Sequence, residues 1–223
     1  MLKQTLKKTL TICAVAIVAI SQIAFAKNFA VAIGARVSSL GVGVEVTSSI
    51  PFIPNLNTRV GLNTFSFSSS GEEADLEIKY DVDLTLKSLS GILDWYPFGG
   101  GFRLSTGAVL NQNELGLIIT PTAEYTIGPK TYTSADLGIL TGTIDFDKLA
   151  PYVGIGWGNA VREGKRLGIV FDIGGMYQNS PHIAMSATGL IAPTAEQAPD
   201  IEEKLAGWTG YLIISLGLTF KLF

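Results

Sequence analysis

The sequence predicts an all-β protein, namely an eight-stranded antiparallel transmembrane β-barrel with short periplasmic turns and longer extracellular loops. Apolar residues recur at every second position in many segments, which is the periodicity of a β-strand with one apolar face. The alternate positions carry glycine, serine, threonine and isolated charges, which suit the crowded interior of a narrow barrel. Hydrophobic residues make up 47% of the 223 positions and charged residues only 16%, which excludes a disordered chain.

The first 26 residues have the three-part organisation of a secretory signal peptide. A basic start, an uncharged stretch and a small-residue motif follow one another, namely Lys3, Lys7 and Lys8, then residues 9–26, ending in Ala24-Phe25-Ala26. We predict that residues 1–26 are a cleaved signal peptide and that residues 27–223 form the barrel. An uncleaved anchor helix is the alternative. Cleavage removes Cys13, the only cysteine, and leaves 13 basic and 19 acidic residues, a net charge of −6.

Eight segments show the strand periodicity. They span residues 29–38, 40–49, 57–68, 76–96, 102–114, 150–159, 167–178 and 207–223. The phase of the fourth segment shifts near Ser88, which predicts a β-bulge. The best candidate for a membrane-spanning helix after the signal peptide is the uncharged stretch of residues 205–220, but it is short for a bilayer and contains three glycines.

The connections between these segments alternate in length. Those at residues 50–56, 97–101 and 160–166 are short, whereas those at residues 115–149 and 179–206 are long. Short turns at one rim and long loops at the other are typical of outer-membrane barrels, whose short turns are periplasmic.

Seven charged residues occupy positions that face the interior of the predicted barrel. They are Arg36, Glu45, Arg59, Asp94, Arg103, Asp172 and Lys221. Symmetry about the first hairpin turn predicts that Arg36 lies opposite Glu45, with Arg59 on the far side of Glu45. Symmetry about the turn after the fourth strand predicts that Asp94 lies opposite Arg103. Charges paired in this way either plug a narrow lumen or form a polar constriction that gates small solutes.

Acidic residues cluster at the predicted outer rim, in the hairpin that joins the third and fourth strands. They are Glu72, Glu73, Asp75, Glu77, Asp81 and Asp83. Such a rim either raises the local concentration of cationic solutes or is a solvated loop surface. No spacing matches a calcium-binding loop, and we expect neither a metal ion nor another cofactor.

Nucleic-acid binding and catalysis find no support in the sequence. The net charge is −3 and no large cluster of Lys and Arg is present. Gly154, Gly156 and Gly158 repeat within a strand rather than before a helix, which argues against a nucleotide-binding loop. His182 is the single histidine and has no Ser or Asp arrangement around it, so we expect no enzyme.

Five motifs resemble a family of small Gram-negative outer-membrane proteins whose known branch includes the ornithine-uptake porins associated with carbapenem resistance. The motifs are Gly34-Ala35-Arg36-Val37, Gly41-Val42-Gly43-Val44-Glu45-Val46, Asp94-Trp95-Tyr96-Pro97-Phe98, Gly101-Phe102-Arg103-Leu104-Ser105 and Ala150-Pro151-Tyr152-Val153-Gly154-Ile155-Gly156-Trp157-Gly158. The resemblance extends over most of residues 27–223 and implies an eight-stranded monomeric barrel that passes small basic amino acids. No substrate-contacting residue can be carried over from it.

The sequence therefore predicts a β-barrel of the Gram-negative cell outer membrane that acts as a narrow porin-like channel for small solutes, cationic ones among them. The alternative is a non-conducting structural or surface-interaction barrel. We expect the partners to be outer-membrane lipid and lipopolysaccharide, the barrel-assembly machinery and small solutes. We expect a monomer and no nucleic acid.

Overall fold

A computed structural model describes residues 29–127 and 129–223 of the chain. The predicted signal peptide, residues 1–26, lies outside the described residues. Within them the chain forms thirteen strands: β1 (Val31–Ser38), β2 (Gly41–Ser49), β3 (Leu56–Glu73), β4 (Ile78–Trp95), β5 (Phe102–Asn111), β6 (Glu114–Pro121), β7 (Tyr125–Ile127), β8 (Lys130–Tyr132), β9 (Leu140–Asp145), β10 (Leu149–Trp157), β11 (Leu167–Tyr177), β12 (His182–Ala187) and β13 (Gly210–Lys221).

Eight of these strands close into an antiparallel ring, which confirms the predicted fold class. The ring order is β1, β2, β3, β4, β5, β10, β11 and β13, and β13 pairs back to β1. Closure matters in a bilayer, because lipid offers no hydrogen-bond partners for the backbone groups of an open sheet edge.

Side chains of the ring alternate between an outer wall and the lumen. On β13, Leu212 and Leu218 are 61% and 66% exposed, whereas Ser215 and Thr219 are each 2% exposed. An apolar outer face over a polar inner face reverses the arrangement of a soluble protein. It is the arrangement that a barrel needs in lipid.

The two long connections are largely strands that lengthen the barrel wall. β6 continues from β5 and pairs with the upper half of β4, β9 pairs with β6, and β12 pairs with β9. One side of the barrel therefore stands tall, whereas β1 and β2 end at the low turn Ser39-Leu40. The prediction of long loops at residues 115–149 and 179–206 is corrected accordingly. Each contains strand because the sheet continues beyond the membrane.

β4 is a continuous strand, and the bulge predicted near Ser88 is wrong. Its register with β3 is unbroken from the pair Leu56–Trp95 to the pair Glu73–Ile78. At Ser88 the alternation of inward and outward residues continues, but the outward residues change from apolar to polar. Below Ser88, the outward residues include Leu89 and Leu93, whereas above it the outward residues include Asp81 and Asp83 and the inward ones Val82, Leu84 and Leu86. The outer face inverts because it passes from lipid to water.

Three short helices lie in the extracellular connections. They are α1 (Ser134–Leu137), a 3-10 helix (Gly189–Gln197) and α2 (Ala198–Leu205). The 3-10 helix and α2 contact β12 and lead the chain back towards β13. Among the described residues, no helix is both long and apolar enough to cross a membrane.

Candidate functional site

Six charged side chains from six strands meet in the middle of the lumen and form one ion-pair network, here called the charge cluster. They are Arg36 on β1, Glu45 on β2, Arg59 on β3, Asp94 on β4, Arg103 on β5 and Asp172 on β11. The Arg36 side chain is 11% exposed, and each of the other five residues is at most 4% exposed. Three guanidinium groups balance three carboxylates, so the cluster is neutral as a whole.

Arg59 lies at the centre of the charge cluster because it reaches all three carboxylates. Its Nε lies 3.0 Å from Asp94 Oδ2. Its Nη1 lies 3.1 Å from Asp172 Oδ2 and 3.6 Å from Glu45 Oε2. Removing this one guanidinium would leave three buried carboxylates facing only two arginines.

Asp172 is the acceptor that all three arginines share. Its carboxylate lies 2.7 Å from Arg103 Nη2, 3.1 Å from Arg59 Nη1 and 3.3 Å from Arg36 Nη2. The Ser215 hydroxyl also donates to Asp172 at 3.2 Å. Buried charges are tolerated only with such partners, so the cluster is fixed by mutual neutralisation.

The first predicted pair, Arg36 with Glu45, is diagonal rather than directly opposite. In the β1–β2 register Arg36 faces Gly43, and Gly34 faces Glu45. The prediction was wrong by two residues because the turn is centred on residues 39–40 rather than 40–41. The side chains still meet, with Arg36 Nη2 2.6 Å from Glu45 Oε2. Arg59 likewise reaches Glu45 diagonally, since Glu45 faces Gly61 on β3.

The second predicted pair, Asp94 with Arg103, is displaced in the same way. Asp94 faces Ser105, whose hydroxyl donates to it at 2.6 Å, and Arg103 faces Gly156 on β10. The turn between β4 and β5 is centred one residue further along than hairpin symmetry suggested. Arg103 Nε is consequently 3.7 Å from Asp94 Oδ1, and its closer partner is Asp172.

Glycines opposite the charged residues leave the space that the cluster fills. A Cβ atom on Gly34 would lie 3.0 Å from Glu45 Cγ. A Cβ atom on Gly156 would lie 2.6 Å from Asp172 Oδ1 and 2.8 Å from Arg103 Nε. The approaches at Gly156 are shorter than real Cβ contacts, so a larger residue there would force the cluster to shift, whereas the approach at Gly34 is tight and would require Glu45 to give way slightly.

An apolar layer seals the lumen on the extracellular side of the charge cluster. Its buried members are Leu40, Ile92, Val109, Ala150, Tyr152, Met176 and Ile213. Leu40 sits at the β1–β2 turn and is only 3% exposed, so the turn folds over the lumen. A cavity of about 30 Å³ reaches from Arg36 and Arg59 past several members of this layer to Asn63, and its lining also includes Ser38, Ser90 and Ser215. That volume holds about one or two water molecules.

A row of neutral polar side chains, the amide belt, lies above the apolar layer and was missed by the sequence analysis. It comprises Asn63, Ser88, Asn111, Asn113 and Gln178, none more than 7% exposed. The Asn63 amide donates to the Ser88 hydroxyl at 3.2 Å, and the Asn111 amide donates to Gln178 Oε1 at 3.4 Å. The sequence could have indicated this belt, because Asn or Gln recurs at inward positions near the upper ends of neighbouring strands.

Lys221 does not join the charge cluster. It is the last residue of β13, half-buried near the periplasmic rim, and has no ion-pair partner among the described residues. The acidic residues predicted for the outer rim lie on the projecting β3–β4 hairpin. Glu72, Glu73, Asp75 and Glu77 are near its tip, while Asp81 and Asp83 point outwards and away from the lumen.

His182 forms an exposed ion pair outside the lumen. Its Nε2 lies 3.0 Å from Asp147 Oδ1, and Asn179 donates to the same carboxylate. The hydrogen bond to Asp147 raises the pKa of His182, and the bonds from His182 and Asn179 lower the pKa of Asp147. The pair joins the two long extracellular connections. No group of three or more His, Cys, Asp or Glu side chains within residues 29–127 and 129–223 could hold a metal ion.

Solved structures similar to this chain include two proteins from Acinetobacter baumannii. CarO2 matches with a TM-score of 0.57 at 21% sequence identity, covering 86% of this chain and 98% of that chain. CarO matches with a TM-score of 0.55 at 20% identity, covering 85% of this chain and 96% of that chain. Both are eight-stranded outer-membrane barrels, and the likeness establishes that fold for this chain. No family model matches the sequence, and no curated protein is significantly similar to it.

Proposed function

We propose that this outer-membrane β-barrel is a narrow, gated channel for small solutes, with the charge cluster as its constriction. The observation that carries the proposal is the burial of six charged side chains at mid-lumen. Buried ion pairs can often be replaced by apolar side chains of similar volume without loss of stability, so a lumen that served only as a plug would not require them. Rings of charged side chains are a recurrent means of selecting ions in membrane pores.

The lumen around the cluster supports the same proposal. The cavity of about 30 Å³ that reaches from the arginines past the apolar layer to Asn63 provides a first site for water in the path of a solute. Apolar constrictions gate pores by excluding water until they move apart. In the proposed channel, the apolar layer closes the path and the charge cluster selects among the solutes that enter.

The extracellular acidic residues support a preference for cations. Glu72, Glu73, Asp75 and Glu77 project beyond the barrel on the β3–β4 hairpin, and their field acts over the entrance even though they do not line it. The charge cluster itself is neutral and adds no fixed preference. The proposed solutes are therefore small and polar, with cations attracted before they reach the constriction.

The second candidate function is a non-conducting structural barrel. The observation that favours it is the same filled lumen, because the space left above the cluster is only about 30 Å³. Eight strands leave an interior that side chains can nearly fill. On this account the charge cluster only holds the strands together.

Planar-bilayer recording and liposome uptake separate the two functions. The channel predicts discrete conductance steps and uptake of basic amino acids by wild-type protein, both changed by Arg103→Ala. The structural barrel predicts neither conductance nor uptake, and for Arg103→Ala only a loss of stability. Absence of both signals in wild-type protein that shows a heat-dependent gel shift would remove the channel proposal.

A further inference from the structure

Lys87 is the one basic residue among the described residues that faces outwards on the eight ring strands at or below its own level, and the acidic residues Asp83 and Glu114 face outwards just above it. The outward positions of β1, β2, β5, β10, β11 and β13, and of β3 and β4 up to this level, otherwise carry apolar or neutral side chains within the described residues. Lys87 is exposed and forms no ion pair with any described residue. Lys79, the next outward lysine along β4, lies in the water-exposed hairpin and approaches Glu72 at 3.8 Å.

The height of Lys87 on the wall is set by strand register. Lys87 faces Thr64 on β3, and Thr64 faces Val42 at the upper end of β2. This is also the level at which the outer face of β4 changes from Leu89 to the polar residues above it. The ammonium group therefore lies where the headgroups of the outer leaflet begin, and a lysine stem can extend along apolar surface to reach them.

An apolar groove descends the wall directly from Lys87. Its upper part, about 720 Å³, is lined by Val42, Val44, Leu62, Leu89 and Leu110 and is bordered by Lys87 and Gln112. Its lower part, about 680 Å³, shares Val44, Leu62 and Leu89 and continues to Phe220 and Leu167 near the periplasmic rim. Together the two parts form one trough, here called the lipid groove.

Side-chain size explains the lipid groove. The outward residues of β1 and β2 are mostly valine and alanine, including Ala35, Val42 and Val44, whereas leucine and phenylalanine stand on the strands to either side. Small residues between larger ones leave a hollow along the wall. Each part of the hollow falls in the range of about 300–1,000 Å³ that is usual for sites that bind a small molecule.

We propose that the lipid groove and Lys87 form a binding site for one molecule of lipid A, the anchor of lipopolysaccharide. The lipid A phosphate is placed against the Lys87 ammonium group, and an acyl chain lies along the apolar residues below. Two arguments favour this occupant, namely the opposite charges of the Lys87 ammonium group and the lipid A phosphate and the position of the groove in the outer leaflet. The groove opens at the extracellular end of the barrel, where the outer leaflet is built from a phosphorylated, multiply acylated lipid.

Native mass spectrometry of the full barrel in detergent tests the site. Delipidated protein is titrated separately with bisphosphorylated lipid A, dephosphorylated lipid A, phosphatidylglycerol and phosphatidylethanolamine. We expect Lys87→Gln to weaken the binding of bisphosphorylated lipid A about tenfold, because a hydrogen bond between charged groups is lost. The matched control Lys79→Gln removes another exposed lysine from β4 and should leave binding unchanged.

Two further comparisons complete the test. Dephosphorylated lipid A should bind wild-type protein and Lys87→Gln equally weakly, because the contact that differs is absent from both complexes. Val44→Phe, which fills the shared middle of the lipid groove, should weaken binding while Lys87 remains, provided the variant keeps its heat-dependent gel shift. Unchanged binding by Lys87→Gln, or equal affinity for phosphatidylglycerol and lipid A, would overturn the assignment.

Discussion

At the scale of single residues, Arg59 and Asp172 connect the charged side chains of the lumen into one network. Arg59 contacts the three carboxylates of the charge cluster, and Asp172 contacts its three arginines. Each charge is buried only because the others neutralise it, so the cluster behaves as a unit. Removing one member should cost more than the contacts it makes, since a buried charge is left without its partner.

We predict that Arg59→Ala lowers the free energy of unfolding by about 3–5 kcal/mol, the usual cost of breaking a buried ion pair from one side. The measurement is urea unfolding in detergent, followed by the heat-dependent gel shift. Arg162→Ala is the control, because Arg162 is exposed in a periplasmic turn. Equal effects of the two substitutions would show that the charge cluster adds nothing to stability.

We predict that Gly156→Ala destabilises the barrel by about 1–3 kcal/mol, because the added methyl group overpacks the lumen. Its Cβ would lie 2.6 Å from Asp172 Oδ1 and 2.8 Å from the Phe171 carbonyl oxygen. Gly91→Ala serves as the matched control, since no atom lies within 4 Å of its added Cβ. The same unfolding assay applies, and a Gly156→Ala protein as stable as Gly91→Ala would contradict the packing described here.

At the scale of elements, β4 is a single strand whose lower half faces lipid and whose upper half faces water. Its lower half turns Leu89 and Leu93 towards lipid, and its upper half turns Asp81 and Asp83 towards water without any break in register. The neighbouring strands β6, β9 and β12 continue the upper half as a sheet with its apolar face inwards. The outward residues of β4 therefore change from apolar to charged at the level of the membrane boundary.

Cysteine labelling along β4 locates that boundary. We predict that Asp83→Cys reacts with a membrane-impermeant maleimide on intact cells and that Leu89→Cys does not, because lipid covers the second position. Cys13, the only native cysteine, lies in the predicted signal peptide, and its removal with that peptide would leave the introduced cysteine as the only thiol that can be labelled. Comparable labelling at both positions would place the boundary elsewhere.

The ion pair between His182 and Asp147 should make the extracellular connections sensitive to pH. The pKa of His182 is raised above 6.5, so its stabilisation is complete below pH 6.5 and is lost as pH rises through the folded-state pKa. The pKa of Asp147 is lowered below 3.8, so its stabilisation is present above pH 3.8 and is lost as pH falls through the folded-state pKa. The contact is therefore strongest between these limits.

Hydrogen exchange of the extracellular segments checks this pH dependence. We predict slower exchange around β12 and the end of β9 at pH 6 than at pH 8.5, after correction for the intrinsic rates. His182→Gln should abolish the difference. The effect is small and local, because both side chains are solvent-exposed. A wild-type protein with the same corrected exchange at both pH values would contradict it.

Period-two alternation was sufficient to predict the eight barrel strands, because one face must be apolar along its whole length in lipid. Register was harder to predict. Turn geometry displaced Arg36 and Asp94 by two residues from their expected partners, and only diagonal contact kept the pairs together. The extensions β6, β9 and β12 were missed because the prediction assumed that apolar side chains face outwards, whereas in these strands they face inwards as in a soluble sheet. The same assumption turned the change of polarity near Ser88 into a predicted bulge.

At the scale of the whole molecule, the barrel consists of layers stacked along its axis. From the periplasm outwards these are the charge cluster, the apolar layer and the amide belt, with the small cavity reaching from the first to the third and the tall side of the wall rising above them. The path is closed at the apolar layer. Conduction on this account requires the layer to part, with Leu40 on the low β1–β2 turn as the member nearest the entrance.

The most direct test of the channel account is the reversal potential of single barrels in a salt gradient. Arg36→Gln removes a positive charge from the constriction and should shift selectivity towards cations, whereas Glu45→Gln should shift it towards anions. Lys79→Gln, on the hairpin surface, should leave the potential near that of the wild type. Opposite shifts of the two lumen variants are the predicted result. A wild-type barrel that never conducts, or lumen variants with one common reversal potential, would contradict the account.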